Sequence, residues 1–301
     1  MESIAPNKTK NKDGLTAFLF LLPAIIILGV FNFYPIGSVI RLSFFKWDNL
    51  APDKTWIFLD NFKNLFANPR FWNSLKITFI YTISVTALSI VLGLVLAVLL
   101  NKKKFTGKNF WRGVFFLPVI TPTVAAAMVW LLLFNPGFGI VNIFLRRFGI
   151  RDINWLADIH WALPTVISLG VWRRVGFTLI LYLAALQAIP DDYYEAADLD
   201  GASGLHKFFS ITVPLLRSTT IMLVILGIID SFLVFDPVMV LTRGGPANAT
   251  EVLGMYMYFT SFQQFKMGYG AAISVVILII IVVLTLLQWR FVGFGSSEEE
   301  G

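Results

Sequence analysis

Five ionisable residues interrupt two otherwise apolar stretches, and their chemistry asks for an explanation first. Arg173 and Arg174 fall within Trp161 to Ile189, and Arg217, Asp230 and Asp236 fall within Leu215 to Thr242. Charges in such surroundings are costly, so they pair with one another or face a polar cavity. Neighbours on a helix are about 100° apart, so Arg173 and Arg174 are not expected to point the same way. In one reading, one arginine faces a cavity while the other snorkels or pairs with Asp230 or Asp236. In the other reading the hydrocarbon segment starts only near Val175, and the pair is interfacial beside Trp172. Reactive constellations are missing. The sequence has no cysteine and two histidines, His160 and His206, and neither H-E-x-x-H nor G-x-S-x-G occurs. Its sole Gly-Lys pair is Gly107-Lys108, and Lys102 stands where a phosphate-binding loop needs its first glycine.

The elements that position these charges follow from composition. Of 301 residues, 57% are hydrophobic and 14% charged, with a mean hydropathy of +0.75. A soluble domain carries about 25% charged residues, so these proportions predict an all-α, polytopic membrane protein. Crossing a bilayer takes about 20 apolar residues per helix. Six spans are expected, at about 15–40, 77–100, 113–134, 161–189, 215–242 and 268–289, flanked by tails 1–14 and 291–301. The first stretch has 26 uncharged residues and no A-x-A site after it, which suits an uncleaved span better than a signal peptide. The net charge of +6 is spread between the apolar stretches, a membrane-protein pattern rather than a nucleic-acid one. Lysines and arginines divide evenly, eleven on each side. Lys102, Lys103, Lys104, Lys108 and Arg112 crowd one short loop, and short loops weigh most in the positive-inside rule. That puts both termini in the cytoplasm. Trp47, Trp56, Trp72, Trp155 and Trp161 lie in the loops of the other side or at span edges, as interfacial anchors do.

The segment between the fourth and fifth spans, Asp191 to Pro214, is too polar to cross yet has the marks of fixed structure. Asp191 or Asp192 is placed to cap a short helix through Glu195, Ala196, Ala197 and Leu199, with acids near its positive end. Gly201 is placed to stop it in a left-handed conformation. Ser203 then caps a second helix bearing Leu205, Phe208, Phe209 and Ile211, which Pro214 is expected to end. The product is a helix-turn-helix elbow. Read without its spacing, it is a solvated interfacial helix pair.

The spacing E-A-A-x3-G-x9-I-x-L-P resembles the signature loop of binding-protein-dependent ABC importer permeases. It matches at Glu195, Ala196, Ala197, Gly201, Ile211 and Pro214, with Val213 in place of leucine. Ala184-Ala185-Leu186-Gln187-Ala188-Ile189-Pro190, Asp200-Gly201-Ala202, Leu133-Phe134-Asn135-Pro136-Gly137 and Leu241-Thr242-x-Gly244-Gly245-Pro246 resemble the carbohydrate-uptake branch, the maltose and glycerol-3-phosphate type. The resemblance implies a permease subunit in a bacterial-type cytoplasmic membrane, with a cytoplasmic coupling helix between the fourth and fifth spans. It implies a second homologous permease, ATPase subunits that hold ATP and Mg, and an extracytoplasmic solute-binding protein. This chain itself then needs no cofactor, no metal and no nucleic acid, and is not an enzyme. Residues Glu195, Ala196, Ala197, Asp200, Gly201, Ile211 and Pro214 would couple it to the ATPase. Arg173, Arg174, Asp230, Phe232, Phe235 and Asp236 would line the sugar pathway, the phenylalanines stacking on sugar rings or serving only as packing. Asp236-Pro237 is expected to mark a bend, and the Gly244-Gly245-Pro246 turn to lie outside, facing the binding protein or the second permease. An ion-gradient-driven secondary transporter is the alternative, but such folds tend to show repeated halves, and none is visible here.

Overall fold

The computed structural model describes residues 10–48, 53–102 and 106–293. The terminal tails therefore fall largely outside the described residues, as do Lys103 and Lys104. The described residues are 75% helical. Among them, four helices are long and apolar enough to cross a membrane, and six if each of two bent pairs counts as one span.

The described residues begin with α1 (Lys10–Leu28), a π turn at Gly29–Phe33, and α2 (Tyr34–Leu42). The π turn has a cause in Pro35. A proline ring crowds the carbonyl four residues back, here that of Phe31. Widening the preceding turn, so that the Tyr34 N–H donates to the Gly29 carbonyl, accommodates the ring without breaking the helix. No residue of this stretch from Thr16 to Leu42 is buried, and Phe20, Phe31 and Phe33 are all well exposed. A helix apolar on every face suits lipid rather than water. Strands β1 (Phe45–Lys46) and β2 (Thr55–Trp56) form a small antiparallel ribbon, followed by α3 (Asp60–Ala67). Asn61 ties these pieces together, donating to the carbonyls of Ser43 at 2.7 Å and Phe45 at 2.9 Å. The described residues up to Leu65, together with 260–275, form one compact unit, and the remaining described residues form a second.

The second unit is built on α4 (Pro69–Asn101), which starts eight residues before the expected span. Asn68 caps it by accepting from the Arg70 N–H at 3.0 Å, and Pro69 takes the first position, where its missing donor costs nothing. Next come α5 (Lys108–Ile120) and α6 (Thr123–Leu133), which meet at 101°. The third expected span, 113–134, is thus a bent pair rather than one straight helix. Pro122 pushes Thr121 into an extended conformation (ψ 129°), which ends α5. After α7 (Ile140–Arg146) the chain enters α8 (Ala162–Gln187), which lies along α4. Between α6 and α7 the Leu133-to-Gly137 motif proves to be a turn. Asn135 accepts from the N–H groups of Gly137 and Phe138 at 2.9 and 3.3 Å.

The elbow comprises α9 (Asp192–Leu199), α10 (Gly204–Lys207), a π turn at Phe208–Thr212 and α11 (Val213–Leu215). A 63° bend at Leu216 leads into α12 (Arg217–Phe232), then α13 (Asp236–Leu241), α14 (Leu253–Tyr258) and α15 (Met267–Gly293). The stretch expected as one span over 215–242 is therefore divided. Its helix stops at Phe232, and α13 starts afresh at Asp236, with Pro237 in its first turn.

Two apolar clusters hold this unit. One joins α4, α6, α8 and α13 through Val85, Ala127, Leu169 and Val238. The other joins the far end of α4 to α8 and α12 through Ala97, Leu183, Leu216 and Leu223. Asn101 at the end of α4 shares a pocket with Leu186 to Asp191. The elbow therefore springs from the Asn101 end of α4, and Asn73 near the opposite end donates to the Asn248 carbonyl at 3.0 Å.

Candidate functional site

Helices α4, α5, α8 and α12 and the starts of α6 and α13 line an open cavity of about 420 Å³. Five of the six residues expected along a pathway line it: Arg173, Arg174, Asp230, Phe235 and Asp236. Both arginines reach the same cavity despite their angular separation, because long side chains converge on a concave wall. They lie eleven residues after Ala162 and thirteen before Gln187, so they sit in the middle of α8 and not at a helix end. Arg174 donates to the Asp230 carboxylate at 2.7 Å, with 9% of its own side chain exposed against 67% for Asp230. It also donates to the Leu223 carbonyl at 3.4 Å. Gly227 makes room for this approach, since an added Cβ would lie 2.6 Å from Thr86 Cγ2 and 3.3 Å from the guanidinium. The Nε atoms of Arg173 and Arg174 are buried without a hydrogen-bond partner among the described residues.

Phe232 is not in the cavity. It is 1% exposed and meets Phe79 edge-on at 5.3 Å. Two residues on from Asp230, it is about 200° around α12, so a helix that aims Asp230 at the cavity buries Phe232 in packing. Tyr81, Phe177 and Ser231 also line the cavity, and sequence reading missed all three. Tyr81 stands in an uninterrupted apolar stretch with no local mark, and only the contact of α4 with α8 reveals it.

The elbow is more fixed than its composition suggests. Asp191 occupies the cap position of α9 without a side-chain cap bond; its carbonyl instead accepts from Tyr194 and Glu195. Gly201 adopts φ +74°, and the Ala202 N–H returns to the Ala197 carbonyl at 2.9 Å, closing α9 with the expected left-handed stop. Ser203 caps α10 by accepting from the His206 N–H at 3.3 Å. Two further bonds clasp the arms of the elbow: Lys207 to Asp198 at 2.5 Å, and the hydroxyls of Tyr194 and Thr212 at 3.0 Å. Pro214 does not end the second arm. As at Pro35, a π turn precedes it, with the Val213 N–H donating to the Phe208 carbonyl, and the helix runs on to Leu215. Glu195, Ala196 and Asp200 face solvent, while Ala197 and Ile211 are half-buried. Leu199, Leu205 and Phe209 are 90%, 73% and 65% exposed.

A third arrangement was not foreseen. Glu251, 1% exposed, accepts twice from Arg70 at 2.8 and 2.6 Å and once from Ser74 at 3.2 Å. The Arg70 guanidinium also lies 5.3 Å from the centre of the Tyr256 ring. These contacts pin the loop after α13 to the start of α4.

The model of the family described as "Binding-protein-dependent transport system inner membrane component" matches residues 89–292, which include the elbow and all of the cavity lining except Tyr81 and Val85. The sn-glycerol-3-phosphate transport system permease protein UgpA of Agrobacterium fabrum is 33% identical over 97% of this chain and 98% of its own length. The trehalose/maltose transport system permease protein MalF of Thermococcus litoralis is 32% identical over 96% and 98%. Among solved structures, a bacterial ABC transporter involved in import of the acidic polysaccharide alginate superposes with a TM-score of 0.82. It is 24% identical and aligns over 93% of this chain and 96% of that one, a likeness of fold.

Proposed function

This chain belongs to the family of inner membrane components of binding-protein-dependent transport systems, and from that premise we propose that it is the permease subunit of an ATP-driven importer of sugars or sugar derivatives. The observation that carries the reading is the clasped elbow, which displays Leu199, Leu205 and Phe209 to solvent from a stem fixed at both ends. An exposed apolar tip on a rigid stem suits a protein partner. We assign it to an ATPase subunit on the cytoplasmic side, with Glu195 setting register and Ala196 and Ala197 allowing close approach. ATP and Mg belong to that partner, since the sequence has no loop for them.

Movement of the ATPases enters at Glu195 to Gly201, and the elbow transmits it as a unit. It passes through the bend at Leu216 into α12, the helix that carries Asp230. The Arg174–Asp230 pair couples that helix to α8 at the cavity, so rocking of α12 reaches the cargo path directly. A second homologous permease completes the path, lipid surrounds it, and an extracytoplasmic solute-binding protein supplies the cargo. Both termini are cytoplasmic in this orientation, on the side of the elbow. The trehalose/maltose and sn-glycerol-3-phosphate in the relatives' names support the cargo class. So does the lining: Arg and Asp side chains donate to and accept from hydroxyls, while Tyr81, Phe177 and Phe235 offer faces for the apolar sides of sugar rings.

The test is uptake by the assembled importer. Glu195→Lys and Gly201→Asp should reach the membrane at parental levels yet lose uptake while ATP hydrolysis persists. Parental uptake by either variant overturns the assignment, as would solute movement by the chain without a nucleotide-hydrolysing companion.

A further inference from the structure

Helices α4, α5 and α8 leave a second hollow between them, which shares no lining residue with the cavity of Arg173 and Arg174. No step of transport described above uses it. Its volume is about 700 Å³, and Leu88, Leu92, Val114, Phe115, Pro118 and Trp172 are in its wall. The hydroxyl of Ser168, also in the wall, is already engaged: it donates to the Thr165 carbonyl at 2.7 Å and accepts from Trp130 at 3.1 Å. An added Cβ at Gly176 would strike the Phe115 carbonyl, so α5 sits close on α8 and fixes the floor. Leu88, Leu92 and Val114 are exposed, so the hollow is an open groove on the flank of helices that belong to a membrane. From Ser84 to Leu92, α4 rises about 12 Å, most of the roughly 15 Å that the acyl chains of one leaflet occupy.

Charge supplies the second observation. Arg112 stands two residues before Val114 on α5, Lys108 lies one turn earlier, and Lys102 follows the end of α4. These cations therefore gather at one end of the groove, the Asn101 end of α4, from which the elbow springs. The sequence holds no acidic residue between Asp60 and Asp152, and none of the three cations forms an ion pair among the described residues. The Arg112 Nε is buried and has no hydrogen-bond partner there. Trp111, with its ring 6.0 Å from that of Phe115, stands beside Arg112 at this end, as aromatic residues do at a headgroup level.

We propose that the groove holds an acyl chain of one anionic phospholipid, with its phosphate on Arg112 and Lys108, in the leaflet on the elbow's side. A phosphate oxygen supplies the acceptor that the Arg112 Nε lacks, and the cluster of cations favours a headgroup with net negative charge. The inference needs the chain only to span a membrane, and it stands apart from the coupling reading.

The experiment reconstitutes the importer, with its second permease and ATPases, in vesicles of phosphatidylglycerol and phosphatidylethanolamine. The complex is extracted in detergent and its retained lipids are counted by native mass spectrometry. The parent should keep a phosphatidylglycerol that Leu88→Trp and Leu92→Trp lose, because an indole fills the groove. Lys108→Gln and Arg112→Gln should each lower occupancy by that lipid about fivefold at limiting phosphatidylglycerol, the contribution of one cation near an anionic surface. Arg112→Lys should restore most of the occupancy. Ile279→Trp, at an exposed apolar position of α15 outside the groove, should retain the lipid as the parent does. Equal retention of phosphatidylethanolamine at the site overturns the proposal, as does parental retention by both tryptophan variants in the groove. So does loss of the second permease from those variants with no lipid on the parent, which would make the groove a contact between permeases.

Discussion

Exchanging the partners of the Arg70–Glu251 pair one at a time should give unequal losses of stability, and the inequality follows from where each charge lies. Glu251 is 1% exposed and Arg70 is 34% exposed. Arg70→Gln leaves a carboxylate out of reach of water, with only the Ser74 hydroxyl at 3.2 Å still donating to it. Breaking a buried pair in this way costs roughly 3–5 kcal/mol, and partial exposure of the missing arginine favours the lower end, about 3 kcal/mol. Glu251→Gln leaves the cation instead, which keeps access to water and the face of Tyr256 at 5.3 Å. The glutamine retains an acceptor for it, so the loss is that of charge assistance, about 1–2 kcal/mol. The assay is the unfolding free energy of the purified protein in mixed micelles at several ionic strengths, for both single variants and the double variant. The expected order is parent, then Glu251→Gln, then Arg70→Gln, with the double variant more stable than the sum of the two losses predicts. Arg70→Gln losing no more than Glu251→Gln would refute the reasoning, because it would mean that the carboxylate is not isolated from water.

Two further outcomes follow from packing. Gly227→Val places branched atoms against Thr86 and the Arg174 guanidinium, so it should cost about 1–3 kcal/mol by overpacking and reduce uptake by displacing Arg174; thermal unfolding and transport measured together check both. Tyr182→Phe removes the bond from a fully buried hydroxyl to Thr220 Oγ1 at 2.9 Å. Thr220 keeps its bond to the Leu216 carbonyl, so the loss should be only about 1 kcal/mol, measured by the same unfolding assay.

Local chemistry was legible along the chain because it depends on residues a few positions apart. The apolar stretches had to become helices, since only internal hydrogen bonding satisfies a backbone in lipid. Gly201 had to close α9, because the left-handed turn there costs a residue with a side chain more than it costs glycine. Ser203 had to cap α10 through a bond spanning three residues. Pro214 breaks the simple rule that proline ends a helix, because the π turn before it absorbs the ring and lets the elbow continue to Leu215. Which way α12 turns was beyond local reading, since Asp230 and Phe232 are equally plausible cavity residues until packing against Phe79 selects a rotation.

Pairings across the fold belong to tertiary structure alone. Arg174 meets Asp230 across 56 positions and Arg70 meets Glu251 across 181, and no periodicity reaches that far. Composition required that charges within apolar helices be compensated, because an isolated charge there is too costly. The identity of each compensating partner, and the convergence of Arg173 and Arg174 on one cavity, depended on how α4, α8 and α12 came together, because an ion pair is a matter of distance and only packing sets distance.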